Sequence, residues 1–547
     1  MNQVFIKIVI CFYLSTQLLT AGNDEVAFQR ADQSFLSEER QQQALKRQYQ
    51  QAYDLPAPLE FSQKEVKIEA ESWKEMTLKK VQVEGANMIS KRQQRRLNAA
   101  YLNRVVNAKD LQMLQKDYAA AIMTKGYITT RVWLLSQDIT KGILRLKVIP
   151  GRITHIEIRN KKGWALSQCL VIKKGQLLNI RDLETSLANL NRLSSQSYQS
   201  QLIADPAVPG GTIVVLENQP KHPVSGIVSY SNMKKKDLYP DNLLLSMDQL
   251  LGLQEQWQLS LGQNTTDVTQ YMLSGLTLSL PVKRWVLGLG FRKFKHSYLL
   301  KSMGQRYFHY FNTYQQQSID LNWRCFHWPK AALDIKVAYK HKEQTRHIEN
   351  TFLIHQHQRL EIAELSAVTR LTHRLGTWHI TPLIRWGQTR FPSLATDQEA
   401  EAQFTVGQLS LGYQYHRRVG RIPLAFEVQY QGFYAEKSML GTEQFSLGDQ
   451  YSLRGFDGFL QGDKGYSGGL SLRAIYHNWL TPKLSLEGGK VSSYDENSQT
   501  GTVLSWAVEN QMSWQYLSAT LGYSRALKVS EGLKKQGQVW GQVKVQF

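Results

Sequence analysis

The chain has 547 residues, 42% of them hydrophobic, and carries 66 Lys and Arg against 45 Asp and Glu, a formal net charge of +21. That length suggests several domains, although large β-barrels break the rule. A basic excess suits nucleic acid, anionic lipid head groups or a charged channel lumen, and the 25 Tyr and 13 Trp favour half-buried surfaces and membrane interfaces.

At the N-terminus, Met1 to Lys7 carries one positive charge, Ile8 to Leu19 is apolar, and the small residues Thr20, Ala21 and Gly22 follow. Residues 1–22 therefore read as a secretory signal, too short to span a bilayer, with cleavage after Ala21 or Gly22. No later run approaches the ~18 consecutive apolar residues of a spanning helix. An exported protein is expected. Cys11 would leave with the signal, and the remaining Cys169 and Cys325 have no spacing that implies a disulfide framework.

Residues 23–53 include "SFLSEERQQQALKRQYQQAY", which predicts a helix too polar for a wide core-facing stripe. Such a helix bridges domains or lies in a wet cavity; otherwise the segment is a disordered Gln-rich leader. "DLPAPLEFS" (Asp54 to Ser62) stops it and opens an extended linker over 54–75.

Two similar units follow, at 76–151 and 152–221. The first begins with a strand from Met76 to Ala86, then predicts helices over Ser90 to Tyr101 and Ala108 to Lys125. The second helix sets Leu111, Leu114, Tyr118, Ala121 and Ile122 on one face. "GYITTRVWL" and "GILRLKVIPG" read as strands, giving the order β-α-α-β-β. "ITHIEIRN", a helix around Asp182 to Leu193, "YQSQLIA" and "GTIVVLEN" repeat the plan. These are tandem α+β modules.

From 222 to 547 helical periodicity gives way to alternation. Leu333, Ile335, Val337 and Tyr339 alternate with Asp334, Lys336, Ala338 and Lys340, and Leu424, Phe426, Val428 and Tyr430 with Ala425, Glu427, Gln429 and Gln431. Sixteen strands are expected, starting near 224, 241, 255, 270, 285, 315, 331, 359, 377, 405, 422, 468, 483, 502, 515 and 537. Connections after odd-numbered strands are mostly long, such as Lys295 to Tyr314, His341 to Gln358 and Gln388 to Phe404. Those after even-numbered strands are short, such as "LPVKR" and "HRRVGR". An even-stranded outer-membrane barrel has this asymmetry. The last segment, "VWGQVKVQF", places Val539, Gly541, Val543, Val545 and Phe547 on one face, as the final strand of such a barrel would.

Common catalytic patterns are absent or out of place. There is no G-x-x-x-x-G-K-[ST] loop and no H-E-x-x-H. Gly465–Tyr466–Ser467–Gly468–Gly469 fits G-x-S-x-G, but a loop precedes it and an alternating strand follows, whereas a nucleophile elbow needs a strand and then a helix. His355 and His357, with His341 and His347, fall on the expected fourth external loop without a carboxylate at ligand spacing, and read as solvated loop residues. The basic residues show no aromatic-interleaved nucleic-acid motif. No enzyme activity, cofactor, metal or nucleic-acid partner is expected.

One connection stands out. Residues 433–467, between the eleventh and twelfth strands, are Gly-rich and without regular pattern, and contain "SLRGFDGF" (Ser452 to Phe459). A sixteen-stranded wall encloses a wet interior into which this external loop can fold. Arg454 would then need a partner, and a partly desolvated guanidinium favours a bidentate carboxylate. The alternation points Asp320, Glu427, Glu487 and Glu509 inward. Gly488 and Gly489 beside Glu487 remove bulk that would keep a loop backbone away.

The whole layout resembles the two-partner secretion transporters of the outer-membrane assembly-factor superfamily. "VQVEGANMIS" through "KVIPGRI" resembles their first polypeptide-transport-associated (POTRA) domain, and "LETSLANLNRL" with "PGGTIVVL" the second. The Gln-rich helix is similar to the family's plug helix. "SLRGF" matches the V-R-G-[YF] tip of its sixth external loop at Arg454, Gly455 and Phe456, with Ser452 and Leu453 replacing the usual lead-in. In the family this arginine pairs with the aspartate of F-x-D-x-G on strand 13. Here those positions are Ser485 to Gly489, with Glu487 replacing aspartate and Ser485 the aromatic.

The resemblance implies a sixteen-stranded barrel in a Gram-negative outer membrane, with a plug helix and two periplasmic POTRA domains. It implies a monomer in contact with outer-membrane lipid and lipopolysaccharide. It also implies secretion, without nucleotide hydrolysis, of one large β-helical exoprotein recognised through its N-terminal secretion domain: an adhesin, a haemolysin or a contact-dependent inhibition toxin. Two other readings stay open, a barrel-assembly insertase and a passive porin with periplasmic binding modules.

Overall fold

The computed structural model describes residues 76–547 apart from 135–136, 138–140, 161–162, 232–240, 266–268, 302–306, 329, 354–356, 390–402, 449–452, 478, 495–499 and 515. The expected signal, plug helix and linker, together with Ser452 and His355, lie outside the described residues.

The first module contains β1 (Met76–Thr77), β2 (Lys80–Glu84), α1 (Lys91–Ala99), β3 (Val105–Val106), α2 (Ala108–Thr124), β4 (Arg131–Leu134) and β5 (Ile143–Ile149). Its main sheet has the order β2-β5-β4, with β2 parallel to β5. Ser90 caps α1 by accepting the Gln93 N–H, and Asn107 with Asp110 forms a reciprocal capping box on α2. Each such cap is worth about 1 kcal/mol. The predicted stripe of α2 is buried against Leu144, Leu146 and Val148 of β5.

The second module has β6 (Arg152–Arg159), the one-turn α3 (Leu166–Cys169), α4 (Ile180–Leu190), β7 (Tyr198–Ala204) and β8 (Gly211–Asn218), in sheet order β6-β8-β7. Short α3 was not anticipated, because one turn carries no periodicity. The C-terminal carbonyls of α2 and the N-terminus of α4 meet. Ile180 N–H donates to Gly126 O at 2.8 Å and the Arg181 side chain to Thr124 O at 3.0 Å. Helix ends leave such groups unpaired, so each module completes the other's termini.

Sixteen long antiparallel strands then close into a barrel. They are β9 (Val224–Ser231), β10 (Asp241–Asp248), β11 (Gln256–Thr265), β12 (Thr269–Val282), β13 (Trp285–Lys301), β14 (Tyr307–His327) and β15 (Ala331–Ile348). After the two-residue β16 (Thr351–Phe352) come β17 (Gln358–His373), β18 (Gly376–Thr389), β19 (Gln403–Val419) and β20 (Ile422–Ala435). Three short strands, β21 (Phe445–Leu447), β22 (Phe456–Asp457) and β23 (Leu460–Gly462), lie in the next connection. The wall resumes with β24 (Lys464–Ala474), β25 (Thr481–Ser492), β26 (Gly501–Ser513) and β27 (Leu517–Val529); after the short β28 (Lys534–Lys535), β29 (Gln538–Gln546) pairs with β9. The alternation fixes the faces: Val337, Tyr339, Leu486, Leu521 and Val539 are exposed outward, while Glu487 and Trp540 turn inward. No described helix is long and apolar enough to cross a membrane.

Each expected strand is present, but several expected loops are not. β13 continues to Lys301 and β14 starts at Tyr307, so most of Lys295 to Tyr314 is wall rather than loop; β15 likewise runs to Ile348. The stretch "YFHYFNTY" carries aromatics on both faces, and His341 to His347 is polar on both, so in each the polarity alternation that marks a strand is erased. His341 and His347 consequently lie on β15, and His357 Nε2 sits 2.9 Å from the Glu343 carboxylate, so a carboxylate does accompany that histidine. No cluster of three or more metal-type ligands occurs among the described residues. Gly465 to Gly469 lies within β24, without a helix to form an elbow. Cys169 and Cys325 are free thiols.

The second module is bolted to the turns at one end of the barrel. Asn189 on α4 accepts from Arg324 Nη1 at 2.7 Å, Arg192 donates to Gln254 O at 2.7 Å, and Asp248 accepts from both Ser194 Oγ and the Ser195 N–H at 3.0 Å. Arg284 pairs with Asp182, and the Arg181 guanidinium lies 4.1 Å over the Trp328 ring. Burial holds the Arg192 guanidinium down to about 10, with Arg324 adding repulsion.

Candidate functional site

The connection between β20 and β24 spans 436–463, shorter at both ends than the expected 433–467 because the flanking strands run on. It folds into the lumen. Met439, Leu440, Phe445, Leu447, Leu453, Phe456 and Leu460 pack with wall residues including Leu360, Ile362, Phe404, Val406 and Val491 in one buried cluster. Burying such side chains contributes about 1.5–3 kcal/mol each, which makes this loop a plug-like core rather than a floppy strap.

The root of the loop is tied by Asp463, fully buried. Its carboxylate accepts from the Met439 N–H and Gln444 Nε2, both at 2.9 Å, from Ser493 Oγ at 2.7 Å and from the Tyr494 N–H at 3.0 Å. Four donors converging on one side chain form a strong knot. Two wall glycines make room above it. A Cβ on Gly465 would lie 2.3 Å from the Phe445 ring, and one on Gly489 2.6 Å from Leu447 Cδ1.

At the tip, Arg454 is 10% exposed. Its Nη2 lies 2.7 Å from Glu487 Oε1 on β25 and its Nη1 2.6 Å from Glu509 Oε1 on β26, with the guanidinium 5.1 Å from the Trp540 ring centroid. The expected single bidentate carboxylate is therefore replaced by a fork split between two. The longer glutamate side chain, one methylene beyond aspartate, still reaches. Close backbone approach is not at Gly488 either, whose side faces Leu504; it occurs at Gly455. There the backbone has φ +91°, and a Cβ would lie 2.6 Å from the Arg525 carbonyl carbon of β27. Gly455 O accepts from the Ala526 N–H at 2.7 Å, and Gln538 bonds both the Gly455 N–H and the Phe456 carbonyl at 3.2 Å. Phe456 is buried in the cluster.

A second charged contact went unrecognised in the sequence. Glu443, in a 3-10 turn near the loop root, is 2.5 Å from Lys342 Nζ and 3.2 Å from Arg385 Nη1, while Glu364 bridges Arg385 and Lys340 at 2.9 Å each. Alternation along β15 marks Lys340 and Lys342 as inward, but nothing periodic marks Glu443. The loop is thus pinned to β15–β18 at its root and to β25–β27 at its tip. Of the other inward acids, Asp320 pairs with Lys336 at 3.3 Å and Glu427 lies 3.9 Å from Lys483.

A closed sixteen-strand barrel on two periplasmic modules, its lumen crossed by a doubly pinned external loop, defines a protein-translocating outer-membrane barrel. The haemolysin secretion/activation protein family ShlB/FhaC/HecB matches residues 210–512, a ShlB-type POTRA domain matches 76–151, and a further POTRA domain matches 152–204. The outer membrane transporter CdiB of Dickeya dadantii is 25% identical over 450 residues, 78% of each chain. The hemolysin transporter protein ShlB of Serratia marcescens is 25% identical over 447 residues, 78% of this chain and 77% of that one. The structure of CdiB from Escherichia coli superposes with a TM-score of 0.83 at 20% identity, covering 94% of this chain and 99% of the other, and so shares the fold. The chain belongs to the ShlB/FhaC/HecB family. It is an outer-membrane transporter of two-partner secretion, with its POTRA domains in the periplasm, and the family carries a large exoprotein partner. That assignment does not favour the insertase or the passive porin.

Proposed function

We propose that this transporter recognises the N-terminal secretion domain of one large β-helical exoprotein and passes the chain outward through its lumen. The exoprotein would be an adhesin, a haemolysin or a contact-dependent inhibition toxin. Capture is by strand addition at the POTRA sheets. In support, β4 and β7 are outer strands of their sheets, and Trp133 on β4 and Ile203 on β7 are exposed. The polar helix within 23–53 seats in the lumen at rest and leaves for transport, and the transporter works as a monomer among phospholipid and lipopolysaccharide.

Arg454 with Glu487 and Glu509 holds the sixth loop in its secretion-competent position. The observation that carries this reading is the split fork of Arg454 across two wall carboxylates. Exoprotein released to the medium by Arg454→Ala and Glu487→Ala, at matched barrel levels, tests it. Loss of secretion with a folded barrel is expected for Arg454→Ala, and a partial loss for Glu487→Ala, in which Glu509 still holds the guanidinium; normal secretion in both refutes the latch.

A further inference from the structure

Three large apolar side chains stand exposed where the second module meets the first periplasmic turn: Trp164 at 76%, Leu250 at 58% and Leu251 at 56%. They are held, not loose. Trp164 Nε1 donates to Leu251 O at 3.0 Å, and the Trp164 and Ala165 N–H groups both donate to Gly252 O. Gln168 Nε2 donates to Leu253 O at 2.5 Å, and the fully buried Glu255 accepts from the Leu251 and Leu253 N–H groups. The two backbones touch through glycines: a Cβ on Gly163 would lie 2.8 Å from Gly252 O, and one on Gly252 2.9 Å from Trp164 Cδ1. Substantial construction thus presents an apolar surface outward, with the indole N–H already satisfied by protein.

The position says what covers it. Met247 on β10 pairs in register with Trp257 on β11 and with Val224 on β9, and Trp257 with Leu278, an apolar row of the lipid-facing wall. Leu250 follows Met247 by three residues, which span at most about 10 Å of extended chain. The same end of the barrel carries more residues of this kind: Trp479, Trp514 and Tyr516 are exposed in its turns, and Trp285 on β13 stacks on Trp323 of β14 at 5.9 Å. Aromatic side chains at this level form the interfacial belt of a barrel. The patch continues that belt off the barrel and onto a POTRA domain.

We propose that Trp164, Leu250 and Leu251 form a membrane foot that inserts into the head-group region of the periplasmic leaflet. The second module is then fixed by two contacts of different kind, hydrogen bonds to the barrel turns and this apolar contact with phospholipid. It cannot tilt away from the bilayer without exposing the patch to water.

The test uses the mature chain in phosphatidylethanolamine/phosphatidylglycerol nanodiscs, with Cys325→Ser to leave only the buried Cys169. A nitroxide is attached at Leu251→Cys, and a control nitroxide at Met113→Cys on the exposed face of α2. Power saturation with oxygen and with a water-soluble nickel chelate reads depth. The expected result is a Leu251 label at least several-fold less accessible to nickel than the Met113 label, and more accessible to oxygen. Brominated lipids should also quench less of the total tryptophan emission in Trp164→Phe than in the parent chain. A Leu251 label as open to nickel as the control overturns the proposal. So does a label shielded only after exoprotein is added, which would assign the patch to protein docking.

Discussion

Arg454 Nη1 and Glu509 Oε1 lie 2.6 Å apart, so the arginine at the tip of the sixth loop answers to β26 as well as to Glu487 on β25. One cation shared by two carboxylates has a consequence for mutation. Removing the sole partner of a buried charge costs about 3–5 kcal/mol, whereas here either glutamate can be lost while the other remains. Glu487→Gln and Glu509→Gln are each expected to keep a substantial part of secretion. The double variant should fall to the level of Arg454→Ala, and Arg454→Lys, with one ammonium for two sites, should fall well below wild type. Exoprotein in the medium at matched barrel levels is the measurement, and losses that simply add would contradict a shared fork.

Glu443 should behave differently, because its pair with Lys342 is almost fully buried, at 1% and 2% exposure. Glu443→Gln takes a charge from a lumen site that keeps Lys342, Lys340 and Arg385, and is expected to unseat the loop root at a cost of about 3–5 kcal/mol. Single-channel recording in planar bilayers should show more frequent and larger openings than wild type. Replacing both partners with apolar residues, Lys342→Met with Glu443→Leu, should move conductance back toward wild type. A quiet single variant would mean that hydrophobic packing alone seats the loop.

These contacts mark where sequence reasoning reached and where it stopped. Two-residue alternation located the wall, because lipid outside and water inside impose opposite polarity on successive residues. It put Glu487 and Glu509 inward for the same reason. It failed on Tyr307 to Tyr314, where both faces are aromatic, and so mistook wall for loop. Glu443 and Asp463 were invisible for another reason: they lie in a loop whose conformation is set by the cavity it fills, so no local periodicity reports their direction. Arg454 was legible through its resemblance to a family motif, but the second carboxylate needed three dimensions. Glu509 is 22 residues beyond Glu487 and reaches the arginine only because β25 and β26 are neighbours.

Gly455 offers a steric test that leaves every charge in place. Its φ of +91° is unfavourable for residues with a Cβ, and that atom would stand 2.6 Å from β27 backbone, which cannot swing aside as a side chain could. Gly455→Ala is expected to displace the loop tip at a cost of about 1–3 kcal/mol or more. Secretion should drop toward that of Arg454→Ala, while the barrel retains its heat-modifiable migration on denaturing gels. A mobility difference between nitroxides placed on the loop would confirm displacement; a wild-type spectrum with wild-type secretion would show that the tip tolerates the shift.

The periplasmic arm carries a pH dependence that can be measured apart from transport. Burial pushes the Glu184 carboxyl on α4 up to about 7, only partly offset by the nearby Arg181. A carboxyl whose folded value lies above its unfolded one binds more protons when folded, so its contribution to stability declines as pH rises from about 4.5 to about 7. Glu184→Gln mimics the protonated form. It should leave the urea midpoint of the second module unchanged near pH 4 and raise it at pH 8, which narrows the difference between the two pH values. Pulse proteolysis of the detergent-solubilised full chain reads this, because cleavage within residues 152–221 reports the module while the barrel stays intact. An equal shift at both pH values would place the effect in helix packing rather than in a buried charge.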